Sequence, residues 1–161
     1  IMGGTPRIEL MQNGTVYSNL DDLNTDIICD TEKDGYRFTV NTHLVDINQK
    51  APSQGEIPIT VDYTYTQQGI EINVENCHDA AYLMLPVISS PTEEVKVTPQ
   101  EASINKGGGT LSIICTAGHI EVAPTDKDRR IFNPVPGFSF VPLRIIPNNP
   151  KKKIHLKILF R

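Results

Sequence analysis

The residues best able to do chemistry in this chain are its clustered acids, its four histidines and its three cysteines. Asp30-Thr-Glu-Lys-Asp-Gly35 opens like a calcium loop, with Asp26, Asp30 and Asp34 as oxygen donors. Such a loop wants Asp or Asn at its third position and a bidentate Glu at its twelfth, where this chain carries Glu32 and Asn41. Asp34-Gly35 between two alternating apolar runs is instead the pattern of a hairpin turn. Lys106-Gly-Gly-Gly-Thr110 has glycines enough to cradle a phosphate, but a P-loop places its Lys-Ser/Thr after the glycines and opens a helix there. Here the lysine comes first and strand patterns flank the run, so it reads as a tight turn.

His43, His78, His119 and His155 are scattered, and only His78-Asp79 puts a carboxylate next to an imidazole in sequence. Nucleophilic catalysis needs a base held by a carboxylate and set beside a nucleophile, and adjacency along the chain supplies neither contact. The four histidines read as polar residues of loops and strand ends. Cys29, Cys77 and Cys115 form no Cys-x-x-Cys pair, which argues against zinc. An odd, sparse set is no disulfide framework, although one bridge and a free thiol fit the count. Cys115 shares its alternation face with Leu111 and Ile113 and reads as a small core hydrophobe. No two acids stand out as the pair a glycosidase would need. The sequence therefore assigns no catalytic residue, no metal ligand and no cofactor.

The elements that must carry these residues are strands. Tyr36, Phe38, Val40 and Leu44 fall on one face of an alternating run while Arg37, Thr39, Asn41 and His43 fall on the other. Residues 59–65 and 70–75 alternate likewise around Gln67-Gln68-Gly69, a hairpin. Runs at 81–85, stopped by Pro86, and 94–97, stopped by Pro99, follow; 102–105 and 110–115 then flank the glycine turn. A closing run places Ile154, Leu156, Ile158 and Phe160 on one face and should be well buried. Tyr63 and Tyr65 share a face with Val61 and are expected in the core. With Asn19–Asn24 as the one possible helical turn, the expectation is an all-β antiparallel sandwich of about nine to ten strands with little or no helix. Residues 1–14 are read as a linker or fragment start and 15–161 as a single domain, with Asn13-Gly-Thr15 noted as a formal glycosylation sequon.

Charge narrows the partners. A net charge of −4 offers no concentrated basic surface for nucleic acid, and Lys151-Lys152-Lys153 reads as the solvated lead-in to a strand. No window is apolar for the 18 residues or so that a membrane span needs, so no membrane partner is expected. Six of the twelve prolines lie between Pro124 and Pro150, and RIFNPVPGFSFVPLR (130–144) carries three of them. Their fixed φ and the extended bias of the preceding residues make that segment a stiff edge or crossover between sheets. The chain starts at Ile1, which is not a translation start, and is expected to be part of a longer protein.

The succession "TVYSNLDDL" (15–23), "GYRFTVNTHLVD", "IPITVDYTYTQQGIEINVE", "AYLMLPVIS", "GGGTLSI" and "RIFNPVPGFSFVPLRI" resembles the C-terminal β-sandwich region of heparinase II/III-like polysaccharide lyases and related α/α-toroid enzymes. The catalytic Tyr, His, Asn or Arg residues of such enzymes have no counterpart in this chain. The resemblance implies a secreted or periplasmic bacterial parent and a non-catalytic accessory role beside a neighbouring catalytic domain. The alternative is a free-standing glycan-binding or adhesion module for acidic polysaccharide. Its first contacts would be Arg129, Arg130 and Arg144, whose guanidinium groups can pair bidentately with uronate or sulfate, together with Tyr17 and Tyr36. The lack of tryptophan favours packing over sugar capture.

Overall fold

The computed structural model describes residues 4–124, 131–132, 139–148 and 152–161. In chain order the strands are β1 (Arg7–Gln12), β2 (Thr15–Ser18), β3 (Asp26–Glu32), β4 (Gly35–His43), β5 (Pro58–Thr66), β6 (Gly69–Glu75) and β7 (Ala81–Ile88). They continue as β8 (Val95–Val97), β9 (Glu101–Asn105), β10 (Thr110–Ala117), β11 (His119–Val122), β12 (Ile131–Phe132), β13 (Ser139–Ile146) and β14 (Ile154–Phe160). The expected helical turn is a short 3-10 helix, Asn19–Asp21, with Ser18 Oγ accepting from the Leu20 amide as its N-cap.

All pairings are antiparallel and make two sheets. One runs β11-β13-β7-β1-β2, with β12 also paired to β13; the other runs β3-β4-β5-β6-β14-β10-β9-β8. Their facing sides build a single core from residues that alternate along each strand. Ile8 and Leu10, Leu83 and Leu85, and Leu143 and Ile145 meet Ile59 and Val61, Ile72 and Val74, Ile113 and Cys115, and Ile154 and Leu156. This is the sandwich the alternation predicts.

Among the described residues there are fourteen strands; β2, β11 and β12, two to four residues long, are too short to display a period, and β1 and β3 also add to the expected count. Residues 7–12, expected in a linker, are β1, paired between β7 and β2 with Ile8 and Leu10 buried. The turn that joins β1 to β2 is Asn13-Gly14, with φ of 51° and 79°. Both positive values are what a two-residue hairpin loop of type I′ demands, so the sequon is also a hairpin signal.

Pro86 does not stop β7, which runs on to Ile88 with Pro86 directly opposite Pro142 of β13. The Pro142 carbonyl turns away from β7 and accepts from the Ala123 amide at 2.8 Å. The Pro86–Pro142 couple is thus a non-hydrogen-bonded pair, where neither missing N–H is needed between the two strands. The stiff segment also differs from expectation where it is described: β13 is an interior strand between β7 and β11, not an edge. The rest of that segment, with Arg129 and Arg130, lies outside the described residues.

Candidate docking face and polar groove

The eight-stranded sheet is wider than the sheet that covers it, and its two faces present different chemistry. On the inner face the cross-strand register lines up Tyr36, Tyr65, Ile70 and Ile158 in one row across β4, β5, β6 and β14. At about 4.8 Å per strand this row is roughly 14 Å long. On the edge strand, Cys29 joins the next row inward beside Phe38, and Ile27 lies beside Val40. All have the same orientation as the buried core; Val40, Ile70 and Ile158 pack against it, while the six-stranded sheet leaves Ile27, Cys29, Tyr36 and Tyr65 open. Ile27 is 62% exposed, Tyr36 56%, Tyr65 41% and Phe160 62%. Tyr65 and Phe160 therefore depart from the expected burial, while Tyr63, one row deeper, packs against the core, and burial raises its phenol pKa. Phe38 and Tyr65 meet edge to face at 5.7 Å. Asp30 and Glu32 of β3 alternate with Ile27 and Cys29 and so lie on the outer face with Arg37.

Gly35 and Gly69 hold the hairpin ends of this face together. A Cβ on Gly35 would sit 1.7 Å from the Tyr65 carbonyl oxygen, and one on Gly69, whose φ is +147°, 2.1 Å from that of Ile158. The other end of β4 is fixed by Asp22, whose side chain is 2% exposed. Its Oδ2 accepts from the His43 amide at 2.7 Å and Thr42 Oγ1 at 3.0 Å, and its Oδ1 accepts from the Asn24 amide at 2.9 Å. Burial alone would raise the Asp22 pKa, but the hydrogen bonds from Asn24, His43 and Thr42 outweigh it and hold the carboxyl below its ordinary value.

On the outer face of the same strands lies an open groove of about 530 Å³ lined by Glu32, Arg37, Asp62, Thr64, Glu71, Asn73, Thr116, Ala117, Lys153 and His155. Arg37 reaches Asp62 with Nη2 at 3.0 Å, and Thr39 Oγ1 donates to the same carboxylate at 2.6 Å. Burial raises the Asp62 pKa, and the bonds from Arg37, Thr39 and Asn73 with the arginine's charge bring it below the usual value. His155 has both ring nitrogens engaged, Nε2 with Glu71 at 2.5 Å and Nδ1 with Thr116 Oγ1. Lys153 pairs with Glu75 at 3.2 Å and Lys157 with Glu71 at 3.6 Å. At the floor, Asn73 donates to Glu75 at 3.3 Å and to Asp62, while its Oδ1 is buried without a partner.

The binding residues expected from sequence do not converge. Arg144 is on the outer face of the six-stranded sheet, ion-paired with Glu121 and lying 5.1 Å over the Tyr82 ring. Tyr82 in turn donates to Glu9 at 2.8 Å, and burial with that bond pushes its phenol up to about 12. Tyr17 faces inward from β2 and packs on the core, and Tyr36 stands on the open inner face. Arg144, Tyr17 and Tyr36 thus occupy three separate surfaces. The Thr116–His155–Glu71 contact escaped the sequence because Glu71 meets His155 only diagonally, in the register that places His155 opposite Asn73. Among the described residues no group of His, Cys, Asp or Glu could hold a metal ion, and Cys29, Cys77 and Cys115 are free thiols.

Comparison with known proteins places these surfaces in context. All of residues 1–161 match the family described as the ulvan lyase C-terminal domain. A broad-specificity ulvan lyase of Formosa agariphila is 26% identical over 146 residues, which are 88% of this chain and 22% of that protein. The chain therefore spans about a fifth of the length of this relative. No solved structure matches.

Proposed function

The chain belongs to the ulvan lyase C-terminal domain family, and from that premise we propose that it is the non-catalytic accessory module of a polysaccharide lyase, packed against the catalytic part through its open inner face. The observation that carries this reading is the set of exposed apolar residues Tyr36, Tyr65, Phe160 and Ile27 left uncovered by the second sheet. Exposed apolar surface of this kind, oriented like a core, is the mark of a surface that another body covers. The relative carries nearly four-fifths of its length beyond the matched stretch, so the covering body is the remainder of a longer chain. Its contact surface would be apolar, complementing these residues.

The substrate of that lyase would be an ulvan-type polysaccharide. A polymer of that size is degraded where it is found, outside the cytoplasm, so a secreted or periplasmic parent follows. The heparinase II/III-like kinship belongs to the same proposal, and its signature would be a helical toroid in the catalytic part.

Tyr36→Asp combined with Phe160→Asp tests the docking. Both side chains are exposed in this chain, so its own stability should move by no more than about 0.5 kcal/mol. In the full-length lyase the pair should lower the thermal midpoint and the activity after heating. Unchanged stability and activity of the full-length protein would overturn the proposal.

A further inference from the structure

We propose that the outer groove of the eight-stranded sheet is a subsite for an uncharged, hydroxyl-rich sugar unit, gripped by Asn73, Asp62, Glu71 and Arg37. The starting point is the Asn73 amide. Its Oδ1 is the one buried side-chain polar atom without a hydrogen-bond partner among the described residues. Turning the amide over is no remedy, because Nδ2 donates to the carboxylates of Glu75 and Asp62 and an oxygen there would face two acids. The oxygen thus points where the fold supplies no donor. A ligand hydroxyl can supply it when the amide turns about its broad terminal torsion, which brings the oxygen to the groove at the expense of the long 3.3 Å bond from Nδ2 to Glu75.

The charges around Asn73 select the ligand. Among the described residues, both permanent cations lining the groove already have a carboxylate: Arg37 has Asp62 and Lys153 has Glu75. Glu32 adds a further acid to the lining. A uronate or sulfate entering here would meet more negative than positive charge and find no unspent cation. Hydroxyl groups, which donate and accept at once, suit this alternation of acids, Arg37, Thr64 and Thr116. The polar side chains repeat across strands at about 4.8 Å, close to the length of one pyranose unit. No aromatic ring lines the groove, so recognition is by hydrogen bonds and the affinity is modest. The site does not depend on the docking reading. It uses the outward-pointing residues of β4, β5, β6 and β14, while docking uses the inward-pointing ones, so both can be filled together.

The test is a titration of the 161-residue chain with xylohexaose, mannohexaose and cellohexaose, and with a galacturonic acid hexamer as the charged counterpart, followed by NMR. At least one neutral hexamer should give saturable shifts of the Asn73 side-chain amide and the His155 ring, with the galacturonate hexamer at least tenfold weaker. Asn73→Ala should weaken binding about tenfold. Thr116→Arg, at an exposed position that fills the groove without touching the core, should abolish it while the fold stays intact. The proposal is overturned if no neutral hexamer saturates at the groove, if galacturonate binds more tightly than all of them, or if Thr116→Arg leaves binding unchanged.

Discussion

Replacing Asp22 by alanine should destabilise the domain by about 3–5 kcal/mol at neutral pH, the range for removing one member of a buried charged network. The figure follows from what the carboxylate holds. Its loss leaves the Asn24 amide, the His43 amide and the Thr42 hydroxyl without their acceptor, and hydrogen bonds to a charged group contribute about 1.5–3 kcal/mol each. The Asn24 and His43 amides are only part-buried, so water recovers some of that loss and the total falls short of the sum. In a domain of this size the thermal midpoint should drop by roughly 10 °C. The pH dependence gives the sharper check. The folded pKa of Asp22 lies below its unfolded value of 3.8, so its stabilisation is complete above that value and is lost as pH falls through the folded one. Urea unfolding of both proteins between pH 7 and pH 2 should show a gap that is constant down to about pH 4 and closes below it. A gap under 1 kcal/mol at pH 7, or one that persists unchanged to pH 2, would refute the view of Asp22 as an ionised latch between the 3-10 turn and β4.

Two further outcomes follow from packing. Gly35→Ala should cost about 2–3 kcal/mol in denaturant unfolding, because its Cβ would meet a backbone carbonyl of β5, whereas Gly108→Ala, with nothing within 4 Å, should be nearly silent. Equal effects at the two glycines would contradict the close approach of β4 and β5. A thiol reagent should titrate Cys29 at once and reach Cys77 and Cys115 only after denaturation, since burial raises those thiols to about 12 and about 11. A second fast equivalent would show that one of the two buried cysteines is accessible.

The alternation of residues 36–44, 59–65, 70–75, 102–105, 110–115 and 154–160 made most of the eight-stranded sheet legible in sequence, because period two reports directly which face of a strand is buried. It could not report how far the second sheet extends. Tyr65 and Phe160 have the pattern of core residues, and only the width of the covering sheet decides that they are open. β1 was missed because its only buried hydrophobics are Ile8 and Leu10, with Glu9 buried between them, yet the Asn13-Gly14 turn beside it was a readable hairpin signal. Arg144 looked available for a ligand because sequence does not reveal that β11 and β7 bring Glu121 and Tyr82 to it. The groove around Asn73 depends on register across four strands, which composition and spacing leave undetermined.

The two chemically distinct faces of one sheet limit how this domain can change over time. In β5, Val61, Tyr63 and Tyr65 point inward while Thr60, Asp62 and Thr64 point outward. A point substitution alters one set and leaves the other in place, so the two surfaces can drift independently. Insertion or deletion of a single residue in the strand would exchange the sets at once, turning Asp62 toward the core and Tyr63 toward the groove. Variation among related chains should therefore be free in residue type along β5 and closed to changes in its length.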